Sequence, residues 1–204
     1  MIKYVSWDLQ GTLSEAAFSD NFWLELLPAA YAAKHVCDLA TAKAQLWEQF
    51  KAMGKYDIHY YDDAYWASQL GFNTSDVLRH ANVQPSLDSA LLSYIASLTT
   101  PNIILSTTTN LFIDYELGDK KALFARTYSC VDDFQTGGKT KEIYEAIARQ
   151  LSVEPHDILH IGDNDEMDIT NATRAGVHAL HYTGDTLALI TALQDILATE
   201  GTEA

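Results

Sequence analysis

Two apolar runs of strand length each end on an aspartate, and this pairing constrains the chain more than any other feature. Residues 2–7 mix β-branched and aromatic side chains and run into Asp8, which is followed within three residues by a Gly-Thr turn; residues 157–162 form a second such run that ends at Asp163. Short runs of this kind, bounded by turn residues, predict strands buried on both faces. From residue 102 onward strand and helix patterns alternate: strands over 102–106, 126–131, 157–162 and 177–182, with helices over 139–151, 167–175 and 186–198. Such alternation predicts an α/β fold with a mainly parallel sheet and helices on both faces. Ligands gather beyond the carboxyl ends of its strands.

Residues 15–84 do not fit that alternation. Their apolar spacing is helical: Ser19 or Asp20 can cap a helix through Phe22, Leu24 and Leu27, Pro28 can open another, and Asp38 precedes Leu39, Ala42, Leu46 and Phe50. Gly54 closes that helix, and an aromatic, acidic stretch from Tyr56 to Trp66 follows. Asn73 can cap a short helix to Ala81, and Pro85 can begin a helix through Leu98. The expected organisation is therefore a core of residues 1–14 and 85–204 carrying a helical insertion of residues 15–84. Only residues 199–204 have the composition of an unstructured tail.

With 28 acidic against 13 basic residues, the formal net charge is −15. That balance argues against nucleic acid and anionic membranes as partners, since both are bound mainly through Lys and Arg. No run of 18 apolar residues is present, and the start of the chain reaches Asp8 too soon for a secretory signal, so a cytoplasmic protein is expected. Cys37 and Cys130 stand far apart and outside any Cys-x-x-Cys or Cys/His spacing, which predicts reduced thiols.

In a parallel sheet, Asp8 and Asp163 share one edge despite their separation in sequence. Either aspartate alone could be a helix cap or turn residue. Together they repel unless a cation lies between them, and oxygen-only ligation suits magnesium. The motif Asp8-Leu9-Gln10-Gly11-Thr12-Leu13 resembles the first motif of the haloacid dehalogenase superfamily, Asp-x-Asp-Gly-Thr-hydrophobic. Gly162-Asp163 followed by Asp168 is similar to its fourth, and Ala172 to Val177 fits the helix end that follows. The resemblance spans the whole frame and implies a Rossmann-like core with a small α-helical cap domain.

It also implies roles. Asp8 would be the nucleophile, and Mg2+ would be held by Asp8, the backbone carbonyl of Gln10 and Asp163, with Asp168 orienting groups around it. Asp168 could equally be an acid placed to meet a helix dipole. Backbone N–H groups around Gly11 and Thr12 would receive phosphate oxygens. The Ser or Thr of the second motif would be Ser106, with Thr107 as the alternative, and the lysine of the third would be Lys139, with Lys141 as its rival. The substrate implied is a small phosphorylated molecule.

The departure is Gln10, where such phosphatases carry a second aspartate that shuttles a proton. Glutamine cannot do so. Three readings remain: a hydrolase whose proton shuttle comes from the insertion, with His59, Asp57, Lys55 and nearby tyrosines as candidates; a dehalogenase or phosphonate hydrolase needing no such acid; or a phospho-ligand binding protein with little or no turnover. His59 is the first choice among substrate contacts from the insertion. A phosphonate hydrolase would also need a Schiff-base lysine, and Lys34, Lys43, Lys51 and Lys55 all read as helix-surface charges.

Overall fold

The central strand of the sheet is the first in the chain. In a computed structural model, which describes residues 1–79, 81 and 83–200, five parallel strands lie in the order β3-β2-β1-β4-β5. They are β1 Tyr4–Trp7, β2 Asn102–Ser106, β3 Arg126–Ser129, β4 Ile158–Gly162 and β5 His178–His181. The order reverses between β1 and β4, and a crevice forms beyond the carboxyl ends of strands at such a reversal. Asp8 and Asp163 follow these two strands.

Alternation along each strand divides the core in two. Val5, Trp7, Ile104, Leu159 and Ile161 face helices α6 (Ser89–Ser97) and α11 (Thr186–Glu200), meeting Leu91, Ile95, Leu189 and Leu193. Ile103, Leu105, Tyr128 and Ile158 face α9 (Lys141–Leu151) and α10 (Asn171–Arg174), meeting Ile143, Tyr144, Ile147 and Ala172. Burial of each such aliphatic side chain contributes roughly 1.5–3 kcal/mol. The polar atom of Trp7 is satisfied as well, since its indole N–H donates to Asn102 Oδ1 at 2.9 Å.

The segment between β1 and β2 is helical. Helix α1 (Ala17–Asn21) passes through a π-helical turn, Phe22–Leu26, into α2 (Leu27–His35) without interruption. Ser19 and Asp20 therefore lie inside a helix and do not cap one, and Pro28, expected to open a helix, lies inside the same continuous one just after its π-helical turn. Helix α3 (Leu39–Met53) begins at Asp38, whose carboxylate accepts from the Thr41 N–H at 2.8 Å, and ends at Gly54. Helices α4 (Asp63–Leu70) and α5 (Thr74–Arg79) complete the segment. The expected end of α5 near Ala81 touches His80 and Asn82, which lie outside the described residues. Leu27, Tyr31, Leu46, Trp66 and Leu70 form an apolar cluster made within the segment alone. A second cluster joins Phe18, Phe22 and Leu78 to Phe112 of α7 (Asn110–Leu117).

The two ends of the segment lie side by side: the Glu15 N–H donates to the Ser86 carbonyl at 2.9 Å and the Asp88 N–H to the Leu13 carbonyl at 2.9 Å. This pairing draws residues 86–88 out of the helix expected from Pro85. Asp88 caps α6 instead, accepting from the N–H groups of Ala90 and Leu91. Similarly, the strand expected over 126–131 stops at Ser129, because the Ser129 hydroxyl accepts the Asp132 N–H and starts α8 (Cys130–Phe134). Helix α11 runs two residues beyond 198, and residues 201–204 of the expected tail lie outside the described residues. No helix among the described residues is long and apolar enough to cross a membrane.

Candidate active site

Lys139 is the pivot of the site. It arrives from the loop before α9, is almost wholly buried, and donates to Asp8 Oδ1 and to Asp168 Oδ1 at 2.5 Å each. Burial alone would push its pKa down, but Asp168 and Asp8 outweigh that and hold it above the ordinary lysine range. Burial pushes the Asp8 carboxyl up to about 7, with Lys139 opposing and Asp168 reinforcing the shift. Burial raises Asp168 as well, yet Lys139 and the His160 hydrogen bond prevail, and its pKa falls below the usual carboxylate range. Asp163 is pushed up by partial burial and by Asp168.

Carboxylate oxygens of Asp8, Asp163 and Asp168 lie within 4.8 Å of one another. Three carboxylates facing one ammonium leave an excess of negative charge, and the donor set is oxygen only. Both properties fit a hard divalent cation such as magnesium. Gly11 lets Asp163 approach: it sits at φ +88°, and a Cβ there would lie 2.5 Å from Asp163 Oδ2. Gly162 does the same for Asp168, whose Cγ would be 2.3 Å from an added Cβ.

Asp168 is held from three sides. Besides Lys139, it accepts the Asn164 N–H at 2.9 Å and contacts His160 Nε2 at 3.0 Å. An ionised carboxylate only accepts, so His160 donates from Nε2, and its Nδ1 accepts from the Ser6 hydroxyl at 2.8 Å. Burial lowers the His160 pKa, which keeps the ring neutral in that tautomer. Neither Ser6 nor His160 stands out in the sequence. They pair because β1 and β4 set Ser6 opposite His160, on the sheet face that also carries Asp8.

A cavity of about 220 Å³ opens over this cluster, lined by Asp8, Gln10, Lys55, Tyr61, Thr107, Lys139, Asp163, Asn164, Met167 and Asp168. Of the two candidates after β2, Thr107 lines it; Ser106 is buried at the strand end, where its Oγ accepts the Thr108 N–H at 3.4 Å. Thr12 lies beside Asp8, its hydroxyl donating to Oδ2 at 3.5 Å. Lys141 is on the surface, paired with Glu145. His59 is not among the lining residues: its ring stacks on Tyr65 at 4.1 Å and faces Asp62. From the insertion it is Lys55 and Tyr61 that reach the cavity, and burial pushes the Tyr61 phenol up to about 12.

The segment 55–57 is fastened to the core. Lys55 pairs with Glu166 at 2.5 Å, Tyr56 donates its hydroxyl to Glu166 at 2.7 Å, and the Gly137 N–H donates to the Tyr56 carbonyl at 3.2 Å. Gly137 and Gly138, just before Lys139, are the reason these chains can touch: a Cβ on Gly137 would lie 2.2 Å from the Asp57 carbonyl oxygen, and one on Gly138 would lie 2.6 Å from the Tyr56 ring. Asn171 supports the same loop by donating to the Lys139 carbonyl at 2.9 Å.

No family model and no curated protein matches the sequence. Solved structures do match the backbone. A HAD phosphatase from Thermococcus onnurineus aligns with TM-score 0.73 at 14% identity, over 90% of this chain and 88% of that one. A 2-haloacid dehalogenase from Pseudomonas syringae aligns with TM-score 0.63 at 18% identity, over 91% and 89%. A predicted phosphoglycolate phosphatase from Haemophilus somnus aligns with TM-score 0.64 at 16% identity, over 89% and 85%. At such identities the likeness is one of fold. The chain has the Rossmann-like fold of haloacid dehalogenase-type hydrolases, in agreement with the resemblance read from its motifs.

Proposed function

We propose that the protein is a magnesium-dependent phosphomonoester hydrolase acting on a small phosphorylated molecule through Asp8. The observation that carries this reading is the convergence of Asp8, Lys139, Asp163 and Asp168 at the switch point of the sheet, beneath a cavity large enough for a phosphoryl group. An Asp8 oxygen forms a bond to phosphorus as the ester P–O bond breaks, and water then attacks that phosphorus, releasing phosphate and restoring the carboxylate. Lys139 holds Asp8 in place and offsets charge on the phosphoryl oxygens, while Thr107 and the backbone at Gly11 and Thr12 receive those oxygens. Asp8, Asp163 and the Gln10 carbonyl, with Asp168 behind them, would hold magnesium, which would supply further charge neutralisation at the phosphoryl group.

The insertion of residues 15–84 acts as a cap over this site. Its own apolar cluster, its adjacent ends and the fastening of 55–57 beside Lys139 support that role. A covering element of this kind excludes water during chemistry and suits a compact substrate. The strong negative charge and the acidic cluster favour a small-molecule substrate over a partner of nucleic acid or anionic membrane.

A second reading, a phospho-ligand binding protein on the same fold, is favoured by Gln10. Position 10 carries an amide, which transfers no proton, and Gln10 is engaged with a carboxylate on α7. Carbon–halogen hydrolysis is disfavoured by the acidic cluster, since a divalent cation held there would suit a phosphate dianion and would be wasted on a haloacid. The test is phosphate release from an activated aryl phosphate, with and without magnesium, by the wild type and Asp8→Asn. Release that requires both Asp8 and magnesium supports the hydrolase. Magnesium-dependent ligand affinity with no release selects the binding protein.

A further inference from the structure

Gln10 and Tyr61 each line two cavities. One is the cavity over Asp8; the other, of about 290 Å³, lies on the far side of these two residues and is walled mainly by Trp23, Trp47, Phe50 and Tyr60, with Asp20 also in its lining. It continues outward through Trp23, Trp47 and Phe50 into an open groove of about 500 Å³ along α2 and α3. The walls are mutually braced, with Trp23 edge-on to Phe50 and Tyr61 and Phe50 against Tyr60 at 5.2 Å between centroids. On the rim, Leu24 and Trp47 are each 55% exposed, the latter among the largest apolar groups the chain leaves in water.

Aromatic side chains rigid enough to keep a chamber open are a costly way to enclose water, and they bind flat apolar ligands through stacking and edge-to-face contacts. The chemistry at Gln10 points the same way. An alkoxide leaving from phosphorus needs a proton, whereas the anion of an acidic alcohol such as a phenol leaves without one. A site that lacks the acid is therefore matched to a leaving group that does not need it.

Resting on the hydrolase reading above, we propose that the substrate is the phosphate monoester of a phenol or a similarly acidic, largely apolar alcohol, with its ring in the chamber of Trp23, Trp47, Phe50, Tyr60 and Tyr61. Gln10 sits at the junction between phosphoryl group and ring. It contributes a neutral amide at that junction.

The experiment compares the affinities of naphthylmethylphosphonate and methylphosphonate for the full chain with magnesium present, measured by calorimetry for the wild type, Trp47→Ala and Trp47→Phe. Because Trp47 is more than half exposed, neither variant threatens the fold. The expected result is that the wild type prefers the naphthyl compound by at least about tenfold, that Trp47→Ala cuts this preference to about one-fifth, and that Trp47→Phe restores most of it. Equal affinities in the wild type, or a preference untouched by Trp47→Ala, would overturn the chamber as the ring site. A naphthyl preference accompanied by no phosphate release from naphthyl phosphate would overturn the hydrolase reading and leave the chamber standing as a ligand site.

Discussion

The side-chain amide of Gln10 donates to Oε1 of Glu116, on α7, at 2.5 Å, and Glu116 is buried. Burial raises the Glu116 pKa, and hydrogen bonds from Gln10 and Ser14 oppose the rise. Gln10 is thus held by a carboxylate that its own amide serves. An aspartate at position 10 would be shorter, would lose the donor, and would face Glu116 as a like charge.

From this follows a paired expectation for Gln10→Asp. If the frame is a phosphatase frame short of its acid, phosphate release from alkyl phosphates rises by about 100-fold or more. Stability falls at the same time by about 1–3 kcal/mol, the usual cost of leaving a buried acceptor unpaired. Adding Glu116→Gln recovers part of that stability, because an amide at 116 can donate to the new carboxylate at position 10, where the Glu116 carboxylate could not. Release assays and urea midpoints on the single and double variants test both halves. No rise on alkyl phosphates would show that the missing acid does not limit turnover.

Removing Lys139 strands two buried carboxylates. Lys139→Met is expected to cost about 3–5 kcal/mol, the range for breaking one partner out of a buried ion pair, and to abolish phosphate release. Asp8→Asn keeps an acceptor for Lys139 and should leave the unfolding free energy within about 1 kcal/mol of wild type while also abolishing release. A stable Lys139→Met protein would mean that the cluster is open to solvent.

Gly137→Ala tests the seat of the segment 55–57. The added Cβ would fall 2.2 Å from the Asp57 carbonyl oxygen, a backbone atom that cannot turn aside. The expected outcome is separation of Lys55 and Tyr56 from Glu166, faster proteolysis near Lys55, and a loss of about tenfold or more in kcat/KM from misplacement of the groups over the cavity. Unchanged proteolysis would show that the loop before Lys139 yields instead.

The sequence made the carboxylates visible because each closes an apolar run, so that local pattern and sheet topology agreed on where they would meet. Lys139 was visible for a similar reason, following two glycines ahead of an amphipathic helix. What escaped depends on tertiary register. Ser6 and His160 are 154 positions apart and become partners only once β1 and β4 are neighbours. Glu116, in a helix of ordinary composition, reads as a surface acid until α7 packs under the first loop. Ser106 closes an apolar run and so reads as a better candidate than Thr107, yet the last residue of β2 is buried with its Oγ turned to the Thr108 N–H, and the next one reaches the cavity. His59 stood in an aromatic stretch suited to a pocket, but the turn it occupies faces Tyr65 and Asp62.

Asp157 links the start of the chain to the strand that carries Asp163. Lys3 donates to its Oδ2 at 2.8 Å, and the Glu154 N–H reaches the same oxygen at 3.1 Å. The Lys3 hydrogen bond lowers the Asp157 pKa, against a small burial effect in the other direction. A carboxyl whose pKa is lower in the folded state stabilises the fold fully above its unfolded value of about 3.9, and that stabilisation is lost as pH falls through the lowered folded value. The difference between the wild-type and Asp157→Asn urea midpoints should therefore shrink as pH falls below about 5. The variant also lowers the midpoint at neutral pH, where the ionised carboxylate is at full effect. If both proteins lost stability in parallel as pH fell, the ion pair with Lys3 would contribute nothing, as is common for pairs with one partner in water.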